Sequence, residues 1–186
     1  MSGQSGKGGQ GRKAGNPFWE FSLSVYSRED AAAACLALQD RHGVDVNLVL
    51  YCVWAGSRGR SLAAAELISL AAATRSWQAD VVTPLRAVRR HLKTAETAPK
   101  SAIEQLRTHI KAAELEAEAV EQQILFDALA LAADHGTPAI AGGNMVAYLE
   151  AQDITPDAAD VANLAAILRG CYPELPPLQA VWAVTG

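Results

Sequence analysis

The stretch GVDVNLVLYCVWAGSRGR, Gly43 to Arg60, contains the longest apolar run of the chain, and whether that run coils or extends decides the fold. Between Val46 and Trp54 only Asn47 is strongly polar, and neither Gly nor Pro interrupts. A run this continuous fits a buried strand or a central helix by periodicity alone. Asp45, an acceptor for the free amides of a first turn, and Gly56 at the far end favour the helix, as do helical patterns on both sides. The run is expected to be the core helix of an all-α fold.

The composition agrees. The 186 residues are 50% hydrophobic and 19% charged, enough apolar surface for one compact body. Alanine supplies 37 positions and leucine 20, against 20 for valine and isoleucine together, a balance that favours helices over strands. Working back from Gly43, an Ala-rich helix opens at Ser27 and Asp30, read as a capping box. Before it, Asn16 and Pro17 cap and start a short helix carrying Phe18, Trp19, Phe21, Val25 and Tyr26. Residues 1–15 hold six glycines, three cations and no large apolar side chain besides Met1, and read as a flexible basic tail.

Working forward, Ser61 is expected to cap a fourth helix through Leu62, Ala65, Ile68 and Ala72. Ser76 is expected to cap a fifth through Trp77, Val81, Leu85, Val88 and Leu92, bent near Pro84. After a polar link at 94–100, Ile103, Leu106, Ile110, Ala113, Ala117, Val120 and Ile124 step by threes and fours. That is a heptad seam on a helix from about Ser101 to Ala133, ended by His135, Gly136 and Pro138 and roughly 50 Å long. It either forms a protruding hairpin with helix five or pairs with another chain. Gly142 and Gly143 read as a loose link, Met145 to Glu150 as a short helix, and Thr155 and Pro156 as the start of a last helix ending at Gly170. The expected architecture is a single domain of about eight helices over 16–172, with a long protruding helical hairpin and an irregular Pro-rich tail over 173–186.

Charge is uneven along the chain. Residues 1–57 are neutral, 58–111 carry ten cations against four acids, and 112–186 carry Arg169 against eleven acids. Oppositely charged segments can lie against each other or await partners. Cys35, Cys52 and Cys171 form no C-x-x-C pair, and each sits in or beside an apolar run as a small hydrophobe would. No apolar run is long enough for a bilayer. Together these point to a cytoplasmic protein without membrane contact.

No phosphate loop, G-x-S-x-G or zinc spacing occurs, so no catalytic residue and no cofactor is expected. Glu114, Glu118 and Glu121 share a helix face, but no His follows a Glu by three, and the stripe reads as solvated rather than as a metal site. Two constellations remain as candidate contacts. In the first, Asn47 must find partners if buried, and Trp54 with Arg58 and Arg60 offers a ring-and-guanidinium pocket for an anion or a peptide carboxylate. In the second, Arg86, Arg89, Arg90 and Lys93 form one cationic stripe, expected beside residues 101–108 and therefore uncancelled.

The segments NPFWEFS (Asn16 to Ser22) with Tyr26, ACLALQDRHGVDVN (Ala34 to Asn47), WAGSRG (Trp54 to Gly59) and VVTPLRAVRR (Val81 to Arg90) resemble a family of small proteobacterial proteins of unknown function, over roughly 16–130. The resemblance implies a small cytosolic bacterial protein and brings no activity, cofactor or catalytic residue. The leading expectation is a non-enzymatic protein-interaction or adaptor module whose partner is an unknown protein or a second copy engaged through the 101–133 helix. The alternatives are a small-ligand or enzymatic pocket at Asn47, Trp54, Arg58 and Arg60, and RNA or anion binding by the Arg86–Lys93 stripe.

Overall fold

The computed structural model describes residues 16–96, 98–131 and 135–186, so the expected basic tail lies outside the described residues. The fold is all-α, with no strand among the described residues. Its helices are α1 (Pro17–Tyr26), α2 (Glu29–His42), α3 (Val46–Ser57), α4 (Ala64–Trp77), α5 (Thr83–Thr94), α6 (Lys100–Ala128), α7 (Pro138–Glu150), α8 (Ala158–Cys171) and α9 (Pro177–Thr185).

The run that decided the fold is α3, capped by the Asp45 carboxylate on the amide of Asn47 at 2.9 Å. Every residue from Val46 to Gly56 is buried, so the helix is enclosed on all sides. Tyr51 and Trp54 meet Phe18 of α1, each with ring centroids 5.2 Å away, and Trp54 meets Phe126 of α6 at 5.7 Å. Two glycines let backbones approach the end of α3. A Cβ on Gly56 would collide with the backbone of Ala141 on α7, and one on Gly136 would strike the Gly56 carbonyl. Ion pairs fasten the outer layer: Arg41 of α2 reaches Asp157 and Asp160, and His42 Nε2 lies 2.9 Å from Asp160, both acids at the start of α8. Arg41 holds the Asp157 carboxyl well below the ordinary range.

Several helix boundaries differ from the sequence expectation, each for a local reason. Ser27 donates its hydroxyl to the Ser24 carbonyl at 2.8 Å instead of capping α2. The start of α4 moves from Ser61 to Ala64, because the Glu66 carboxylate accepts the Ala63 amide at 2.9 Å. No break occurs at Ser76. A π-helical turn over Gln78–Val82 joins α4 to α5, with the Thr83 amide donating five residues back to Gln78. The wide turn sits just ahead of Pro84, whose missing N–H interrupts the regular ladder.

The C-terminal third departs furthest. Gly142 and Gly143 lie inside α7, which starts at Pro138; Gly142 is needed because a Cβ there would meet the Ala183 carbonyl of α9. Asp157, not Thr155, caps α8, accepting the amides of Ala159 and Asp160. The expected irregular tail contains α9. Pro177 occupies its first turn, where a missing N–H costs nothing, and Ala180 and Val184 bury one face. The long helix α6 ends at Ala128, short of the expected Ala133.

Candidate functional site

On α6 the face turned inward follows the expected seam only in part. Ala117 is buried and Ile103, Ile110, Ala113 and Ile124 are partly so, but Leu106 and Val120 are 48% and 45% exposed, while Glu114, Glu121, Gln122 and Leu125, outside the seam, are buried. Polar side chains inside a fold need partners, and these find some of theirs on α3 and α5. Asn47 Nδ2 donates to Glu121 Oε2 at 2.9 Å, and Gln122 Nε2 donates to Asn47 Oδ1 at 2.7 Å. Burial pushes the Glu121 carboxyl well above the carboxylate range, and the nearby Asp45 carboxylate adds to the rise. Glu121 is therefore a neutral acid at pH 7. The Asp45 backbone amide in turn donates to the Tyr148 hydroxyl at 3.2 Å.

One helical turn back along α6, Glu118 accepts Arg86 at 2.5 Å, and Glu114 accepts Arg89 at 2.5 Å and Arg86 at 3.3 Å. The expected register of α5 against 101–108 is thus corrected. Ala95 and Pro99 have extended backbone, with ψ of 131° and 130°. Extended residues cover about 3.3 Å each against 1.5 Å in a helix, so a short link carries the chain well past the end of α5 before α6 turns back. Burial opposes the charge of Arg86, but Glu118 and Glu114 outweigh it and raise its pKa. Arg90 and Lys93 have no ion pair among the described residues.

These groups border a cleft of about 330 Å³ between α1 and α2 on one side and α5 and α6 on the other. Asn47, Val46 and Leu50 of α3 line it, as do Gln122, Glu114 and Glu118. Its mouth is apolar: Leu23, Leu36 and Leu115 line it and are 46%, 47% and 48% exposed, with Trp19 and Tyr26 beside them. Burial raises the Tyr26 phenol above its ordinary value. Arg90 and Lys111 add two cations that no acid among the described residues neutralises within 4 Å. Ser22 Oγ, Gln122 Oε1 and Glu121 Oε1 are buried with no hydrogen-bond partner among the described residues.

The structure separates the first candidate constellation. Asn47 is in the cleft, whereas Arg58 lies eleven residues along the same helix, roughly 16 Å away at 1.5 Å per residue. Trp54 belongs to the aromatic core, and Arg60 pairs with Glu66 at 2.5 Å. Of the stripe, Arg86, Arg89 and Arg90 line the cleft, and exposed Lys93 does not. Sequence reasoning overlooked Ser22, Leu36, Lys111, Leu115 and Gln122. The available signal was the matched spacing of Arg86 and Arg89 on α5 with Glu118 and Glu114 on α6. The acidic stripe, read as solvated, is largely drawn inward. Burial pushes the Cys35 and Cys171 thiols up to about 12, away from reactivity at neutral pH. Among the described residues no His, Cys, Asp or Glu cluster has a metal-binding arrangement, and no helix is long and apolar enough to cross a membrane.

The chain belongs to the family described as a protein of unknown function (DUF2390), whose profile matches residues 17–125. That span contains every residue lining the cleft, and stops before α7, α8 and α9. No curated protein and no solved structure matches the chain.

Proposed function

We propose that the protein is a non-enzymatic binding module whose working surface is the cleft between α1, α2, α5 and α6. The observation that supports this most is the apolar mouth. Leu23, Leu36 and Leu115 stay about half exposed around a concavity, where an isolated fold gains nothing by leaving them. Binding is favoured over turnover because the carboxylates that line the cleft are engaged: Glu114 and Glu118 hold Arg86 and Arg89. A general acid or base needs a group free to exchange protons near neutral pH.

This moves the interaction surface away from the α6 seam, whose exposed members Leu106 and Val120 are too few to form a coiled-coil stripe. It also leaves the RNA reading with little, since two of the four stripe cations are already paired. The three free cysteines support a reducing compartment, and we place the module in a bacterial cytoplasm, as the resemblance implies. The test is an amide chemical-shift screen of the ¹⁵N-labelled full chain with a mixture of small aromatic and aliphatic fragments. Shifts concentrated on Trp19, Leu23, Leu36, Asn47 and Leu115 are expected. Shifts gathered elsewhere, or none at any fragment, would overturn the proposal.

A further inference from the structure

Resting on that reading, the walls of the cleft specify the kind of partner. Both walls are helices, and no strand edge occurs among the described residues. Helices use their backbone N–H and C=O groups internally, so an extended peptide laid between them would leave its own backbone unpaired. An entering helix brings its backbone hydrogen bonds with it and needs only side-chain contacts. The lining is spaced for one. On α1, Trp19, Leu23 and Tyr26 follow each other at i, i+4 and i+7, a stripe roughly 10 Å long. On α6, Lys111, Leu115, Glu118 and Gln122 follow at i, i+4, i+7 and i+11, roughly 16 Å. Leu36 of α2 widens the apolar side, and Leu23, Leu36 and Leu115 are each about half exposed. Those lengths match about two to three turns of a docked helix.

Charge is confined to one wall. The lining residues of α1 and α2 carry none. Helices α5 and α6 contribute Arg86, Arg89, Arg90 and Lys111 against Glu114 and Glu118. Both acids are spent on Arg86 and Arg89, so the positive surplus stands at Arg90 and Lys111, exposed and without an ion pair among the described residues. Exposed charges steer a partner over about 10 Å at ordinary salt, without a fixed contact. A docked helix therefore gains from acids on the flank beside α5 and gains nothing from charge on the flank beside α1 and α2.

We infer that the cleft takes an amphipathic helix of another protein, with leucine-like anchors at i, i+4 and i+7 and acidic residues along one flank only. The anchors cover Leu23, Leu36 and Leu115, and the acidic flank runs along the wall that carries Arg90 and Lys111.

The probe is a displayed library of helical peptides with randomised surface positions, selected against the full chain. Enriched sequences are expected to share apolar residues at i, i+4 and i+7 and Asp or Glu on one side. A synthetic copy of the leading sequence, titrated by amide chemical shifts, should move Leu23, Leu36 and Leu115. Leu36→Asp with Leu115→Asp should weaken it at least about tenfold with an unchanged circular dichroism spectrum, since both sites are half exposed. Arg90→Glu with Lys111→Glu should weaken it about fivefold, and replacing the acids of the peptide with lysines should recover that loss. Enriched peptides with lysine flanks or an internal proline, bound in the cleft, would overturn the partner class and leave the binding surface standing. So would the absence of any enriched peptide while small fragments still shift the cleft. Binding to phosphatidylglycerol vesicles that Leu36→Asp with Leu115→Asp abolishes would put a membrane in place of the helix and overturn the inference. Peptides and fragments that both leave Leu23, Leu36 and Leu115 unmoved would overturn it together with the surface beneath it.

Discussion

Helices α3 and α6 both run through the interior, and they are buried by opposite means. Inside α3, from Val46 to Gly56, Asn47 is the one strongly polar side chain; α6 presents Glu114, Glu121 and Gln122 to the interior. The apolar helix needs only close packing, which Gly56 and the aromatic cluster around Trp54 supply. The polar one needs a partner for every donor and acceptor, and each partner also constrains where α3 and α5 lie. The comparison teaches that the site belongs to the helix whose burial is conditional. The cleft lies against this helix, with Glu114, Glu118 and Gln122 in its lining.

The largest effect is expected on the apolar side. Gly56→Ala places a Cβ against the backbone of Ala141, which cannot rotate away, and should cost about 3 kcal/mol or more in urea unfolding or prevent folding outright. A variant as stable as the parent would show that α3 and α7 are not in such contact. Next comes the polar side. Asn47→Leu suits an apolar helix but strands Glu121 and Gln122, so a loss of about 2–4 kcal/mol is expected despite the gain in hydrophobicity. If leucine were tolerated there, the distinction between the two helices would fail.

Glu121→Gln sharpens the same contrast through pH. The folded carboxyl titrates above its unfolded value, so the native state binds more protons than the unfolded chain over that interval. Stability contributed by the protonated acid is complete below the unfolded value near 4.5 and falls as pH rises. Glutamine keeps the hydrogen bonds without the titration. The variant should therefore unfold at higher urea than the parent at pH 8, by about 3 kcal/mol or more, and the difference should vanish towards pH 4. A constant difference at all pH values would place the stabilisation elsewhere. The smallest effect is expected at Leu106→Lys, within about 0.5 kcal/mol because the side chain is half exposed. Sedimentation should show one monomeric species for parent and variant; a dimer disrupted by lysine would restore the seam as an interface.

The all-α class and the central place of α3 were legible from one apolar run, a cap at Asp45 and a terminal glycine, since burial on every side leaves a plain compositional mark. The caps at Asn16 and Asp45 are equally local and were read from two or three residues. The inner face of α6 was not legible, because period alone selects apolar residues and so chose Leu106 and Val120 over Glu121 and Gln122. Burying an acid depends on Asn47, 74 residues away, and no window of sequence contains both. Helix α9 was missed because prolines at 173, 176 and 177 read as interruption, although Pro177 starts the helix. The π-helical join at Gln78–Val82 escaped because Ser76 offered a cap that the continuous helix does not use.

The neutral state of Glu121 is where the account of α6 is most exposed to measurement. Carbon-13 NMR of the glutamate side-chain carboxyls, with the Glu121 signal assigned by its absence in Glu121→Gln, reads that state directly across pH 3–9. The account predicts a Glu121 signal that still has its protonated shift at pH 7; a Glu121 signal titrating near 4.5 would contradict it.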